Sequence, residues 1–377
     1  MKIGILTFWE SKNNYGQILQ LFAMQSALKR LGHSPFAIKF HRLSKSQLRK
    51  PGIKGLLKQF YHDLTGAKSK KRLKLSAEAI DENREFRHFK NQNIQFSGKD
   101  YYRIDELISD PPQADAYITG SDQIWNHTFA SPVDPFLLGF GSEKIKKIAY
   151  AASFGIREQD AETATLFKKH LIDFSAIGVR EKSGMDLIRN LDFEAKWVLD
   201  PTLLFTAAEW IKLLNLKSIG PQPGVKKNQI FVYTLGNSKT VDKEKFISHA
   251  NASNQYKIVH ATANNDTSGS FYPTIPEWVY NISVSSLVIT TSFHGMIFCI
   301  LNNTNFIILP NTGKAEGMNE RIESMLSVVK LEDHLMESFE VQKFEKILNK
   351  DINWTVINQK LDKWREESYE FLKQNLS

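Results

Sequence analysis

Along this chain, short unbroken apolar runs alternate with stretches whose apolar residues recur at helical spacing. Unbroken runs of roughly four to eight apolar residues, closed by turn residues, predict strands buried on both faces. "KIGILTF" is the first such run, and the polar turn "NNYGQ" follows it. "ILQLFAMQSALKRLG" then carries the helical period and stops at Gly32, and "HSPFAIKF" predicts the next strand. "LSAEAIDENREFRHFKNQN" predicts a polar helix. Further strands are predicted in "ADAYITGSDQIWN", in "KKIAYAASFG", in "LIDFSAIGVREKSG" up to Val179, and in "AKWVLDPTLLF" up to Asp200-Pro201. The pattern loosens at about 206–228, where "LNLKSIGPQPGVKKNQ" reads as a linker. A second set of strands follows in "QIFVYTLG", "YKIVHATAN", "SLVITTSFHG" and "NFIILP", and the chain closes on a long amphipathic helix.

Strands alternating with helices predict parallel sheets, so the fold class is α/β. The expected architecture is two Rossmann-like domains facing a cleft, the GT-B type. The first covers 1–205, the linker 206–228 and the second 229–350, while the helix at 351–377 packs back toward the first. Ligands of open α/β sheets bind at the carboxyl ends of strands. His294 stands at such an end: "TTSFHGMIFC" places it between the strand 287–291 and a helix from Gly295, whose first N–H groups are available to an anion.

Composition narrows the picture in three places. The single cysteine, Cys299, rules out an internal disulfide framework and sits in an apolar segment, as core. No run reaches the ~20 apolar residues of a membrane span, and the start lacks a signal-peptide pattern, so a cytoplasmic protein is expected. The net charge of +8 is local: residues 42–74 hold eleven Lys/Arg against one Asp, leaving the remainder slightly acidic. A nucleic-acid partner is not expected, because such charge would be spread along a groove. The segment reads either as a surface arm touching the anionic inner membrane or as a solvated insertion.

The polar strand ends form a set. "NNYGQILQ", "GSDQIWN", "YAASFG", "VREKSG", "VLDPTLL" and "SFHGMIF", in this order, closely resemble the polysaccharide pyruvyl transferase family from residue 2 to about residue 330. The resemblance implies transfer of the enolpyruvyl moiety of phosphoenolpyruvate onto a glycan or lipid-linked oligosaccharide acceptor, ending as a pyruvate ketal, with no metal and no cofactor. That chemistry needs a proton delivered to the donor methylene, and the family motif assigns His294 as the acid. Asp122 is the candidate base. Arg180 matches a family arginine and is a candidate clamp for the donor, with Arg321, Lys314, Ser292 and Gly295 as further donor-binding candidates. Asn14, Tyr15, Gly16, Gly120, Ser121, Gln123 and Asn126 are the candidate acceptor or cleft residues. Many relatives carry arginine two residues before the histidine; this chain has Ser292 there. Trp125, Phe293 and Asp200-Pro201 read as packing or structural residues. Two other readings stay open on the sequence. One is a nucleotide-sugar glycosyltransferase, against which "YTLGNSKT" is a poor diphosphate loop; the other is a non-catalytic carbohydrate-binding relative.

Overall fold

A computed structural model describes residues 1–10, 13–42, 77–130, 132–220, 222–235, 243–252, 255–263, 266 and 268–377. The basic stretch from residue 43 to 74 lies outside the described residues, and so do the side chain of Lys314 and all of "GNSKT".

Seven parallel strands form the first sheet in the order β3-β2-β1-β4-β5-β6-β7: β1 (Lys2–Leu6), β2 (Ser34–Phe40), β3 (Phe96–Tyr101), β4 (Ala116–Thr119), β5 (Lys146–Ala152), β6 (Ala176–Val179) and β7 (Lys196–Trp197). Four parallel strands form the second, β11-β10-β8-β9: β8 (Lys227–Thr234), β9 (Lys257–Thr262), β10 (Ser285–Thr290) and β11 (Asn305–Ile308). In the first sheet the order reverses between β1 and β4, and in the second between β8 and β10. The loops after β1, β4 and β10 therefore leave their sheets at the topological switch points, where crossover connections diverge and open a crevice.

Helix Tyr15–Arg30 is buried on almost every side because it lies between the first sheet and helices Ile275–Val284 and Phe293–Leu301 of the second unit. Its tyrosine fixes the seam. The Tyr15 ring stacks on Trp278 with centroids 5.2 Å apart, and its hydroxyl donates to Pro273 O at 2.6 Å. Burying a large apolar side chain contributes about 1.5–3 kcal/mol, and the seam buries several from each unit. The final helix, Trp354–Leu376, lies on the first unit. There Trp364 Nε1 donates to Trp197 O at 3.1 Å, Arg365 Nε to Leu203 O at 2.8 Å, and Leu199 N to Ser368 Oγ at 3.1 Å.

The elements differ from expectation in three places. The polar stretch at 77–93 is two helices, Ala77–Arg84 and Phe86–Asn93, broken at Glu85 with φ 52°. Residues 206–228 hold a helix, Ala207–Leu213, nucleated by a capping box in which Thr206 accepts from Glu209 N while the Glu209 side chain accepts from Thr206 N. The helix after β10 begins at Phe293 rather than Gly295, because Ser292 caps it. No helix among the described residues is long and apolar enough to cross a membrane.

Candidate active site

Five charged side chains from both units converge at the seam: Asp122, Arg180, Asp200, His294 and Arg321. None is more than 7% exposed. Asp122 follows β4, Arg180 follows β6, and Asp200 ends the extended segment after β7. His294 lies in the first turn after β10, and Arg321 in helix Glu320–Val329.

Asp200 is the hub. Its Oδ2 accepts from Arg180 Nη1 at 2.6 Å and Ser121 Oγ at 3.1 Å, and stands 3.5 Å from His294 Nε2. Its Oδ1 accepts from Thr202 N at 3.0 Å and Thr202 Oγ1 at 2.6 Å. Burial opposes its ionisation, but His294, Arg180 and Thr202 overcome this and hold the carboxyl well below the usual range. The sequence reading of Asp200 as a strand-exit residue is half of the picture. It does cap the turn Pro201–Leu204, yet it also joins the arginine of one unit to the histidine of the other.

Phe293 organises the two arginines. The Arg180 guanidinium lies 4.7 Å from its ring centroid and that of Arg321 5.3 Å. Both also reach Asp122 Oδ1, Arg180 Nη2 at 3.6 Å and Arg321 Nη1 at 3.9 Å. Burial, and then repulsion from Arg180, pushes Arg321 down to about 10. Burial works against the Asp122 carboxylate too, but Arg180, His294 and Arg321 keep it below its ordinary value. Glu181 behaves oppositely. Burial pushes its carboxyl up against the pull of Arg180 and Arg321, although its Oε1 accepts from Phe154 N at 2.7 Å and Gly155 N at 3.2 Å.

Several donors in the cluster stay unmatched. Arg180 Nε, Arg180 Nη2 and His294 Nε2 are buried with no hydrogen-bond partner among the described residues. Buried polar groups are nearly always paired; Arg180 Nη2 and His294 Nε2 stand only at ion-pair distance from Asp122 and Asp200, so hydrogen-bonding capacity is left over at the cluster.

The other expected residues fall into two groups. Gly16 and Gly295 make room. A Cβ on Gly16 would stand 2.2 Å from His294 Nδ1, and one on Gly295 2.7 Å from Thr290 Oγ1. Gly120 adopts φ 113°, and a Cβ there would meet Tyr150 O at 2.1 Å. The remainder build the walls. Asn14 caps helix Tyr15–Arg30, accepting from Gln17 N at 3.4 Å. Ser292 accepts from Gly295 N at 3.1 Å. Gln123 Oε1 accepts from Asn126 Nδ2 at 3.2 Å, and Asn126 Oδ1 from Thr128 Oγ1 at 2.6 Å, while Tyr15 lies in the seam. Trp125 is fully buried and donates to Phe136 O at 3.1 Å. Among the described residues no three of His, Cys, Asp or Glu converge closely enough to hold a metal ion.

A family model for polysaccharide pyruvyl transferase matches residues 14–313. No curated protein matches the chain in sequence. Among solved structures, UDP-N-acetylglucosamine 2-epimerase from Rickettsia bellii aligns with a TM-score of 0.50 and 12% identity, over 100% of this chain and 95% of its own. UDP-GlcNAc 2-epimerase from Neisseria meningitidis, bound to UDP-GlcNAc, aligns with a TM-score of 0.48 and 11% identity, over 100% and 99%. The likeness is one of fold: two Rossmann-like units in a GT-B-type arrangement.

Proposed function

This chain belongs to the polysaccharide pyruvyl transferase family, and from that premise we propose that it transfers the pyruvyl group of phosphoenolpyruvate to a sugar of a bacterial surface polysaccharide or its lipid-linked precursor. In the reaction the C2–O bond to phosphate breaks and two C2–O bonds to neighbouring sugar hydroxyls form. The C3 methylene becomes a methyl. Of the two hydroxyl protons lost, one balances the proton gained at C3 and the other leaves with inorganic phosphate.

The observation that carries this reading is the trio of unmatched donors, Arg180 Nε, Arg180 Nη2 and His294 Nε2, held around one buried carboxylate. Arg180 and Arg321 supply charge for the donor's phosphate and carboxylate, and a guanidinium grips such groups with two parallel prongs. Asp200 fixes Arg180 through Nη1, while Nε and Nη2 make no hydrogen bond, Nη2 standing 3.6 Å from Asp122, and are offered to the donor anion in this reading. His294 serves as the acid at C3, a role suited to imidazole near neutral pH. Asp122, held ionised, serves as acceptor of a sugar hydroxyl proton. The test pairs calorimetry of phosphoenolpyruvate binding with phosphate release in the presence of lipid-linked acceptors. Binding of phosphoenolpyruvate and acceptor-dependent phosphate release are expected. A protein that ignores phosphoenolpyruvate and binds a nucleotide sugar is instead a glycosyltransferase.

A further inference from the structure

A cavity of about 690 Å³ opens at the seam beside the buried cluster. Its walls are continuous with the site. Ile156 and Arg157 follow Gly155, where a Cβ would stand 2.5 Å from Gln123 Oε1, and Asn319 and Glu320 lead directly into Arg321. The two units meet here: Arg157 pairs with Glu320 and Glu323, and a Cβ on Gly317 would stand 2.8 Å from Gly155 O.

The lining has a definite chemistry. Ile156, Pro310 and Leu335 give an apolar floor, and Asn311 and Thr312 add amide and hydroxyl groups. Four glutamates complete it. Glu320 and Glu323 are tied to the single arginine, Arg157. Glu316 and Glu337 are exposed, and neither has an ion-pair partner among the described residues. Among the described residues the balance is negative, which disfavours phosphates, diphosphates and other anions. The glutamates do not converge on a metal position. Carboxylates and amides above an apolar floor suit a molecule that presents hydroxyl donors on its edges and C–H groups on its faces. The volume lies within the range of about 300–1,000 Å³ typical of small-molecule sites, and exceeds what one sugar ring needs.

We propose that this cavity is the acceptor subsite, taking an uncharged, hydroxyl-rich saccharide whose terminal sugar reaches past Gly155 and Arg321 to the buried cluster. This assignment rests on the pyruvyl-transfer reading for its place in the reaction, but binding tests it independently. Glu316 and Glu337 are the residues to change, because both stand at the surface and their loss leaves the core untouched.

The full-length protein is titrated with an array of neutral hexose and N-acetylhexosamine oligosaccharides, and separately with phosphoenolpyruvate. At least one neutral oligosaccharide binds the wild type. Glu316→Gln with Glu337→Gln weakens it by about tenfold, since glutamine keeps a neutral acceptor at both positions and loses only the charge assistance. Phosphoenolpyruvate affinity stays unchanged or rises slightly in the same variant, which also reports that the protein is folded. Absence of any neutral oligosaccharide binding overturns the assignment, as does binding that ignores both substitutions. If the wild type fails to bind phosphoenolpyruvate while saccharide binding follows the two glutamates, the donor reading falls and the cavity assignment stands.

Discussion

Asp200 has both carboxylate oxygens engaged inside the protein, and this gives it two measurable signatures. Removing one partner of a buried ion pair costs about 3–5 kcal/mol, so Asp200→Asn is expected to be markedly destabilised. Its folded carboxyl lies below the unfolded value of about 3.9. The stabilisation is therefore complete above that value and is lost as pH falls below it toward the folded value. Glu181 has the opposite sign, because burial raises its carboxyl above the unfolded value of about 4.3. Stability is lost there as pH rises from about 4 toward the folded value. In a denaturation series across pH, Asp200→Asn should flatten the acid limb and Glu181→Gln the limb just above it. Chemistry and binding separate at two other residues. His294→Asn keeps the charge clamps, so it should bind phosphoenolpyruvate while turnover falls by about 10²–10⁴-fold. Arg180→Lys keeps the charge but loses the fork, so calorimetry should show weakened donor binding. Normal turnover by His294→Asn would remove the histidine from the proposed chemistry.

At the scale of elements, the first turn of helix Tyr15–Arg30 and the first turn of helix Phe293–Leu301 fit one another at a single point. Gly16 faces His294, with no room for a methyl group. Alanine normally favours a helix by about 1 kcal/mol over glycine. Gly16→Ala should nevertheless move the imidazole away from Asp200. The expected result is a helix as stable as before in thermal melts, with turnover reduced by about 10²-fold or more. Why this contact is invisible in the sequence is plain: residues 16 and 294 belong to different units, and spacing carries no information about a docking surface. The elements themselves are largely legible, because parallel strands are unbroken apolar runs, as in "LVIT" and "NFIIL". β3 is not, since "FSGKDY" is an edge strand with few apolar residues. His294, Arg180 and Asp122 are legible as candidates through the motifs around them. Asp200 is hidden by the proline after it, which explains the aspartate as a turn residue and conceals its contact with His294. Glu181 is named by its motif, but its burial follows only from the loop after β5 folding over it.

The whole molecule holds its site closed by contacts of unequal strength. The apolar seam around Tyr15 and Trp278 is extensive, whereas the contact at the cavity mouth is one exposed arginine, Arg157, on two glutamates. Surface ion pairs contribute about 0–1 kcal/mol. Arg157→Ala should therefore leave global stability nearly unchanged and speed hydrogen exchange over residues 313–329, with the difference shrinking at high salt. The long final helix is the opposite case. Deleting Trp354–Leu376 strips Leu361, Phe371 and Leu372 from the core of the first unit, and the truncated chain is expected to be insoluble or unfolded by circular dichroism.

The five charged side chains at the seam are almost entirely buried, and for the proposed reaction this sets the fate of a wasted encounter. Once protonated at C3, the donor carries an electrophilic carbon that any oxygen nucleophile can attack. Water at bulk concentration would win that competition and release free pyruvate. Behind closed walls the hydroxyls of a seated sugar are the nucleophiles at hand. Selectivity for sugar over water thus comes from architecture rather than from reactivity, and a loosened seam should leak. Pyruvate formed from phosphoenolpyruvate without acceptor, followed with a coupled dehydrogenase, should be near background for the wild type and rise in Arg157→Ala.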